Sequence, residues 1–149
     1  MFYFFDSSAL AKQYHSEPGS QVVVEIFSGR ENYIFTSRLA LVELTSVAGI
    51  KVRTGAMTPE KADDFLVSVS AAIYSREFVS QRIVDLDYVR AQQLLIRYAR
   101  EHRLRTLDAL HLASAIRRRE SSGVDGFVTA DRTLAAVAAL EGFEVLIPA

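Results

Sequence analysis

"FYFFDSS", residues 2–8, sets four aromatic side chains in a row and then stops on a carboxylate followed by two hydroxyls. An apolar run without polar alternation belongs in a strand covered on both faces of a sheet. Asp6 therefore stands at the carboxyl end of a buried strand. That is an expensive place for a charge, unless something there needs one.

Outward from this stretch, short apolar strands alternate with helical patterns. Residues 7–15 and 19–29 read as helices separated by Pro18-Gly19. "YIFTS", 33–37, reads as a second strand. Residues 38–54 read as a helix with Leu39, Val42, Val47 and Ile50 at helical spacing, stopping near Gly55. Thr58 is placed to cap a further helix that has Pro59 in its first position. Residues 78–84 read as a third strand. A helix over Asp87–His102 follows, with Asp87 as its cap, and then another over Asp108–Glu120 with Ala109, Leu112, Ala113 and Ile116 on one face. "GFVT", 126–129, reads as a strand, Asp131–Leu140 as a helix and "FEVLI", 143–147, as a last strand. This alternation predicts an α/β fold with a mostly parallel central sheet flanked by helices. In such sheets, sites form beyond the carboxyl ends of the strands.

The totals agree with one folded domain over residues 1–149: half of the residues are hydrophobic and 23% are charged. There are no cysteines, which excludes disulfides and thiolate metal sites and points to a reducing, cytoplasmic setting. Asp6 cuts the opening apolar run and no basic segment precedes it, so a signal peptide is not expected, and no apolar stretch is long enough to span a membrane. The net charge is only −1, but its distribution is uneven. Residues 90–119 hold eight arginines against two acids, Glu101 and Asp108, which hints at an anionic partner.

Four acids from separate segments converge on the strand ends in this reading. Asp6 ends the first strand, Asp131 follows the strand at 126–129, Asp108 opens a helix, and Glu43 lies one turn into the helix after the second strand. For the three aspartates the competing reading is helix capping. Glu43 shares a stripe with Leu39, Ser46, Val47 and Ile50, the face expected to be buried, and is either paired with a cation such as arginine or a metal ligand. As a group they repel: two carboxylates about 4 Å apart cost roughly 4 kcal/mol at an effective dielectric near 20. A cation resolves this, and hard oxygen donors suit Mg²⁺ or Mn²⁺.

Four motifs now stand in order: "FFDSSALAKQY" (4–14), "TSRLALVEL" (36–44), "LRTLDALHLASA" (104–115) and "GFVTADRTL" (126–134). Together they resemble the PIN-domain ribonucleases, in particular the VapC toxins of toxin–antitoxin pairs, over nearly the whole chain. The resemblance implies a Rossmann-like sheet with metal-bound acids at its carboxyl edge. It implies an endoribonuclease that hydrolyses RNA with Mg²⁺ or Mn²⁺, a cognate VapB-type antitoxin and a homodimer. Carried over by position, the catalytic set is Asp6, Glu43, Asp108 and Asp131. Asp6, Asp108 and Asp131 are its metal ligands, and Ser7 and Thr129 are hydroxyls supporting them. For those two hydroxyls helix capping is the competing reading. The segment from Asp108 to Asp131 is longer than this family usually shows. The alternative function is a catalytically weak or inactive RNA-binding or scaffold protein on the same fold. A phosphatase of the aspartyl-phosphate kind is disfavoured because Ser8 stands where its second aspartate belongs.

Other side chains have plainer readings. His111, three residues after Asp108, is expected to be a packed or hydrogen-bonded histidine rather than a ligand. His15 and His102 are expected at the surface. Arg97, Arg100 and Arg103 recur every three residues and are expected to line one helix face, either solvated or holding RNA phosphates. Arg117, Arg118 and Arg119 either do the same or favour the end of their helix.

Overall fold

The aromatic run forms the central strand of the sheet. A computed structural model describes residues 1–149, in which β1 (Phe2–Phe5) pairs in parallel with β2 (Tyr33–Ser37) on one side and with β4 (Gly126–Val128) on the other. The edges are β3 (Val79–Gln81), parallel to β2, and β5 (Val145–Leu146), parallel to β4, so the strand order is β3-β2-β1-β4-β5. Seven helices connect them: α1 (Ser7–Tyr14), α2 (Ser20–Ser28), α3 (Leu39–Arg53), α4 (Pro59–Ser75), α5 (Asp85–Tyr98), α6 (Thr106–Ser122) and α7 (Arg132–Leu140). No helix is long and apolar enough to cross a membrane.

Strand alternation accounts for the four aromatics. Tyr3 and Phe5 enter one core with Leu10, Leu44, Phe65 and Val69, whereas Phe4 enters the opposite core with Phe35, Leu112, Phe127 and Leu134. Phe4 and Phe5 are both fully buried, and the Phe4 ring stacks on that of Phe127 at 5.9 Å. The chain winds outward from β1 through β2 to β3, then returns to the other side of β1 for β4 and β5. The crevice between the carboxyl ends of β1 and β4 is thus the point where the winding reverses, the usual ligand position of open α/β sheets.

Several boundaries depart from the sequence reading. The edge strands are shorter than 78–84 and 143–147, as expected of edges that pair on one side only. α3 is phased differently: it buries Ala40, Leu44 and Ala48, and leaves Val42 69% and Ile50 43% exposed. The buried stripe carries small alanines and packs mainly against α1 and α4, and a reading weighted to large apolar residues missed it. α5 begins at Asp85, so Asp87 is its third residue and reaches back to the Val84 N–H at 3.0 Å. α5 also ends at Tyr98, because the N–H groups of Glu101 and His102 both turn back onto the Tyr98 carbonyl. Arg100 and Arg103 therefore lie beyond the helix, and the arginine face expected over 97, 100 and 103 does not form. Arg97 itself donates to Glu141 at 2.7 Å. α6 begins at Thr106 and runs unbroken to Ser122, absorbing the long segment before Asp131, and Gly123 at φ 86° ends it.

The arginines at 117–119 are structural. Arg117 forms a fork on Asp87, at 2.8 and 3.0 Å, tying α6 to α5 through a carboxylate that is fully buried. Arg118 lies over the Phe35 ring at 3.7 Å. Arg119 lies over Phe143 at 4.1 Å and donates to the Glu141 carbonyl.

Candidate active site

β1 delivers Asp6 to the crevice, where it is 3% exposed. Its Oδ1 accepts the Ala9 N–H at 3.0 Å, so it caps α1. Its Oδ2 accepts the Thr129 hydroxyl at 2.8 Å, and Ser8 Oγ lies 2.8 Å from both oxygens. Burial pushes its pKa up to about 6 against these donors and the charge of His111, which pull it down. Among the expected supporting hydroxyls, Thr129 stands against Asp6. The other is Ser8 rather than Ser7, because an N-cap side chain faces the second and third helical residues. Ser8 Oγ also accepts the Ala130 N–H at 2.9 Å, and Thr129 Oγ1 accepts the Asp131 N–H at 3.0 Å. These two hydroxyls bind the β1 and β4 ends into one unit.

Asp131 caps α7 with Oδ1, which accepts the N–H groups of Thr133 and Leu134 at 2.8 and 3.0 Å. Asp108 does not cap α6 from in front. It stands at the third helical position, and its Oδ2 reaches back to the Arg105 backbone N–H at 3.2 Å. The Arg105 side chain spans these two acids: Nε donates to Asp108 Oδ2 at 3.1 Å and Nη2 to Asp131 Oδ2 at 3.4 Å. The sequence reading counted Arg105 only within a charge tally. The available signal was its spacing, three residues before an aspartate that opens a helix.

Glu43 reaches the same edge from α3 and pairs with His111 through Oε1 and Nε2, and the other ring nitrogen, Nδ1, lies 2.8 Å from Ser37 Oγ. The partner of Glu43 is thus a histidine rather than an arginine. Glu43 offers only acceptors, so Nε2 donates to it, and Ser37 Oγ can donate to Nδ1 or accept from it. His111 is 1% exposed, packed and hydrogen-bonded as its position suggested, yet it faces the site.

No three Asp, Glu and His side chains stand together closely enough to form a ready metal shell. The donor chemistry nevertheless fits a hard divalent cation: hard carboxylate oxygens, with a guanidinium already drawn across two of the acids.

The comparisons with known proteins agree with this fold. No curated protein sequence matches the chain. Among solved structures it is similar to Mycobacterium tuberculosis VapC20, described as a sarcin–ricin loop cleaving toxin, with 16% identity, a TM-score of 0.69, and 98% of this chain and 99% of that chain covered. It is similar to VapBC2 of Rickettsia felis bound to a DNA fragment from its promoter, with 13% identity, a TM-score of 0.67, and 99% and 98% covered. It is also similar to a toxin–antitoxin complex from Klebsiella pneumoniae, with 18% identity, a TM-score of 0.63, and 99% and 98% covered. These likenesses show a shared fold. The family model of the PIN domain matches residues 3–140, and the chain belongs to the PIN-domain family.

Proposed function

We propose that this chain is a metal-dependent endoribonuclease and the toxin of a VapBC-type pair, acting in the cytoplasm. The observation that carries the reading is the Arg105 guanidinium drawn onto both Asp108 and Asp131, with Asp131 joined to Asp6 through the Thr129 hydroxyl at the ends of β1 and β4. Asp6, Asp108 and Asp131 would hold Mg²⁺ or Mn²⁺. The bound ion would supply charge for a phosphate oxygen and acidify a water. Asp6 is fixed by a stiff strand end, so its carboxylate keeps its position. Glu43, oriented by His111, would take the proton of the attacking water. Thr129 and Ser8 hold the Asp6 oxygens in place. Hydrolysis would leave a 5′-phosphate and a 3′-hydroxyl.

The toxin–antitoxin neighbours support a VapB-type partner that covers the acids. A homodimer is proposed on the exposed apolar side chains of α3 and α5, where Val42 and Tyr88 line one groove and are 69% and 54% exposed. The absence of a ready metal shell favours, in turn, the second reading of a weak or inactive RNA-binding protein. Purified protein incubated with cellular RNA and Mn²⁺ or Mg²⁺, followed by sequencing of new 5′ ends, separates them. Cleavage at defined sites that EDTA abolishes is expected. Intact RNA under every divalent condition refutes the enzyme and leaves the binding protein.

A further inference from the structure

The molecule uses arginine at carboxylates in two different ways. Arg117 is 27% exposed in its side chain and forks onto an Asp87 that is 0% exposed, which makes a permanent staple. Arg105 is 71% exposed in its side chain and rests on Asp108 and Asp131 at 3.1 and 3.4 Å. Those two acids are its only side-chain partners. Exposed pairs of this kind are individually weak.

We propose that Arg105 is an exchangeable counter-cation of the acid cluster, displaced from Asp108 and Asp131 by the divalent metal and then available to a phosphate of the bound RNA. The exchange follows from competition for the same carboxylates. A doubly charged ion held by Asp108 and Asp131 would draw off the charge that holds the guanidinium and would stand beside it as a second cation. Its backbone stays anchored, because the Arg105 N–H caps on Asp108 and the residue opens α6. The freed fork therefore remains at the crevice rim. A phosphate is the group that satisfies both cations, accepting two guanidinium hydrogen bonds while facing the metal. In the absence of metal the same arginine neutralises carboxylates that would otherwise repel.

This inference rests on the metal-dependent reading above, and its test separates the two. Mn²⁺ is titrated calorimetrically into wild type, Arg105→Gln and Arg103→Gln, the last removing an exposed charge two residues away. Arg105→Gln is expected to tighten the Mn²⁺ dissociation constant by about threefold to tenfold, in keeping with the loss of two weak competing pairs, and Arg103→Gln to change it by less than about twofold. A fluorescent single-stranded RNA oligonucleotide is then bound to Glu43→Gln protein with and without Arg105→Gln. The added change is expected to weaken binding by about threefold to tenfold in saturating Mn²⁺ and by less than about twofold in EDTA. Equal Mn²⁺ affinity for wild type and Arg105→Gln, equal shifts from both arginine variants, or an RNA loss independent of Mn²⁺ each overturns the exchange. Wild type that binds no Mn²⁺ at millimolar concentration overturns the metal-dependent reading itself, and the exchange with it.

Discussion

Asp6→Asn provides a test in which stability and catalysis move in opposite directions. Burial raises the pKa of the Asp6 carboxyl from 3.8 to about 6, which corresponds to roughly 3 kcal/mol. The sign follows from linkage. The folded state binds this proton more tightly than the unfolded chain, so the contribution is most favourable below pH 3.8, shrinks as pH rises towards about 6, and above that leaves an ionised carboxylate in a buried place. Asparagine removes that charge while its carbonyl can still accept the Ala9 N–H. The hydroxyls of Thr129 and Ser8, which now donate to the carboxylate, must turn to accept from the amide. That rearrangement reduces the gain to an expected ~1–2 kcal/mol in EDTA at pH 7.5, or about 2–8 °C in melting temperature. The gap should narrow towards pH 4, where wild-type Asp6 is protonated as well. Cleavage, in contrast, should be lost. The assay is thermal denaturation of both proteins in EDTA from pH 4 to 8, with RNA cleavage in Mn²⁺ alongside. A variant no more stable than wild type at pH 7.5, or a gap that ignores pH, refutes the burial argument. Cleavage at the wild-type rate refutes the role of Asp6.

Divalent metal should stabilise wild type, by about 2.7 kcal/mol at 100 times its dissociation constant; unchanged melting in millimolar Mg²⁺ and Mn²⁺ would remove metal from the proposed site. Glu43→Gln should abolish cleavage yet melt close to wild type, because the amide oxygen still accepts from His111 Nε2. A variant that unfolds would make the Glu43–His111 pair structural instead. Arg117→Ala should lower stability by about 2–3 kcal/mol in urea denaturation. That is somewhat below a fully buried pair, since Arg117 is 27% exposed while Asp87 is 0% exposed. An unchanged midpoint would show that Asp87 finds another partner.

The central strand, the alternation and the parallel sheet were legible because they depend on uninterrupted apolar runs and on Gly and Pro punctuation, which are local. The phase of α3 was not, because Ala40 and Ala48 are buried by helices α1 and α4, which come from elsewhere in the chain, and nothing in the local pattern marks that. The end of α5 was hidden for a similar reason. No glycine or proline stops it, and the turn after Tyr98 is closed by backbone hydrogen bonds alone. The arginine face read over 97–103 depended entirely on that boundary. In the candidate site, the positions of Asp6, Asp108 and Asp131 at strand and helix ends were legible. The partners of the acids were not: Arg105, Ser8, Ser37 and His111 act across the fold or through the exact helical position of a cap.

The two carboxylate oxygens of each acid are held differently. Asp131 gives Oδ1 to the start of α7 and turns Oδ2 to Arg105. Asp108 gives Oδ2 to the Arg105 N–H and side chain, and its Oδ1 accepts no protein donor. Asp6 caps α1 with Oδ1, and its Oδ2 meets only hydroxyls, groups that can also turn a lone pair outward. Glu43 uses Oε1 on His111 and leaves Oε2 without a protein donor. One oxygen of each acid is thus held by the fold, which orients the carboxylate. In the proposed site capping and cation binding would act together, because a donor held on one carboxylate oxygen leaves acceptor capacity on the other for a cation.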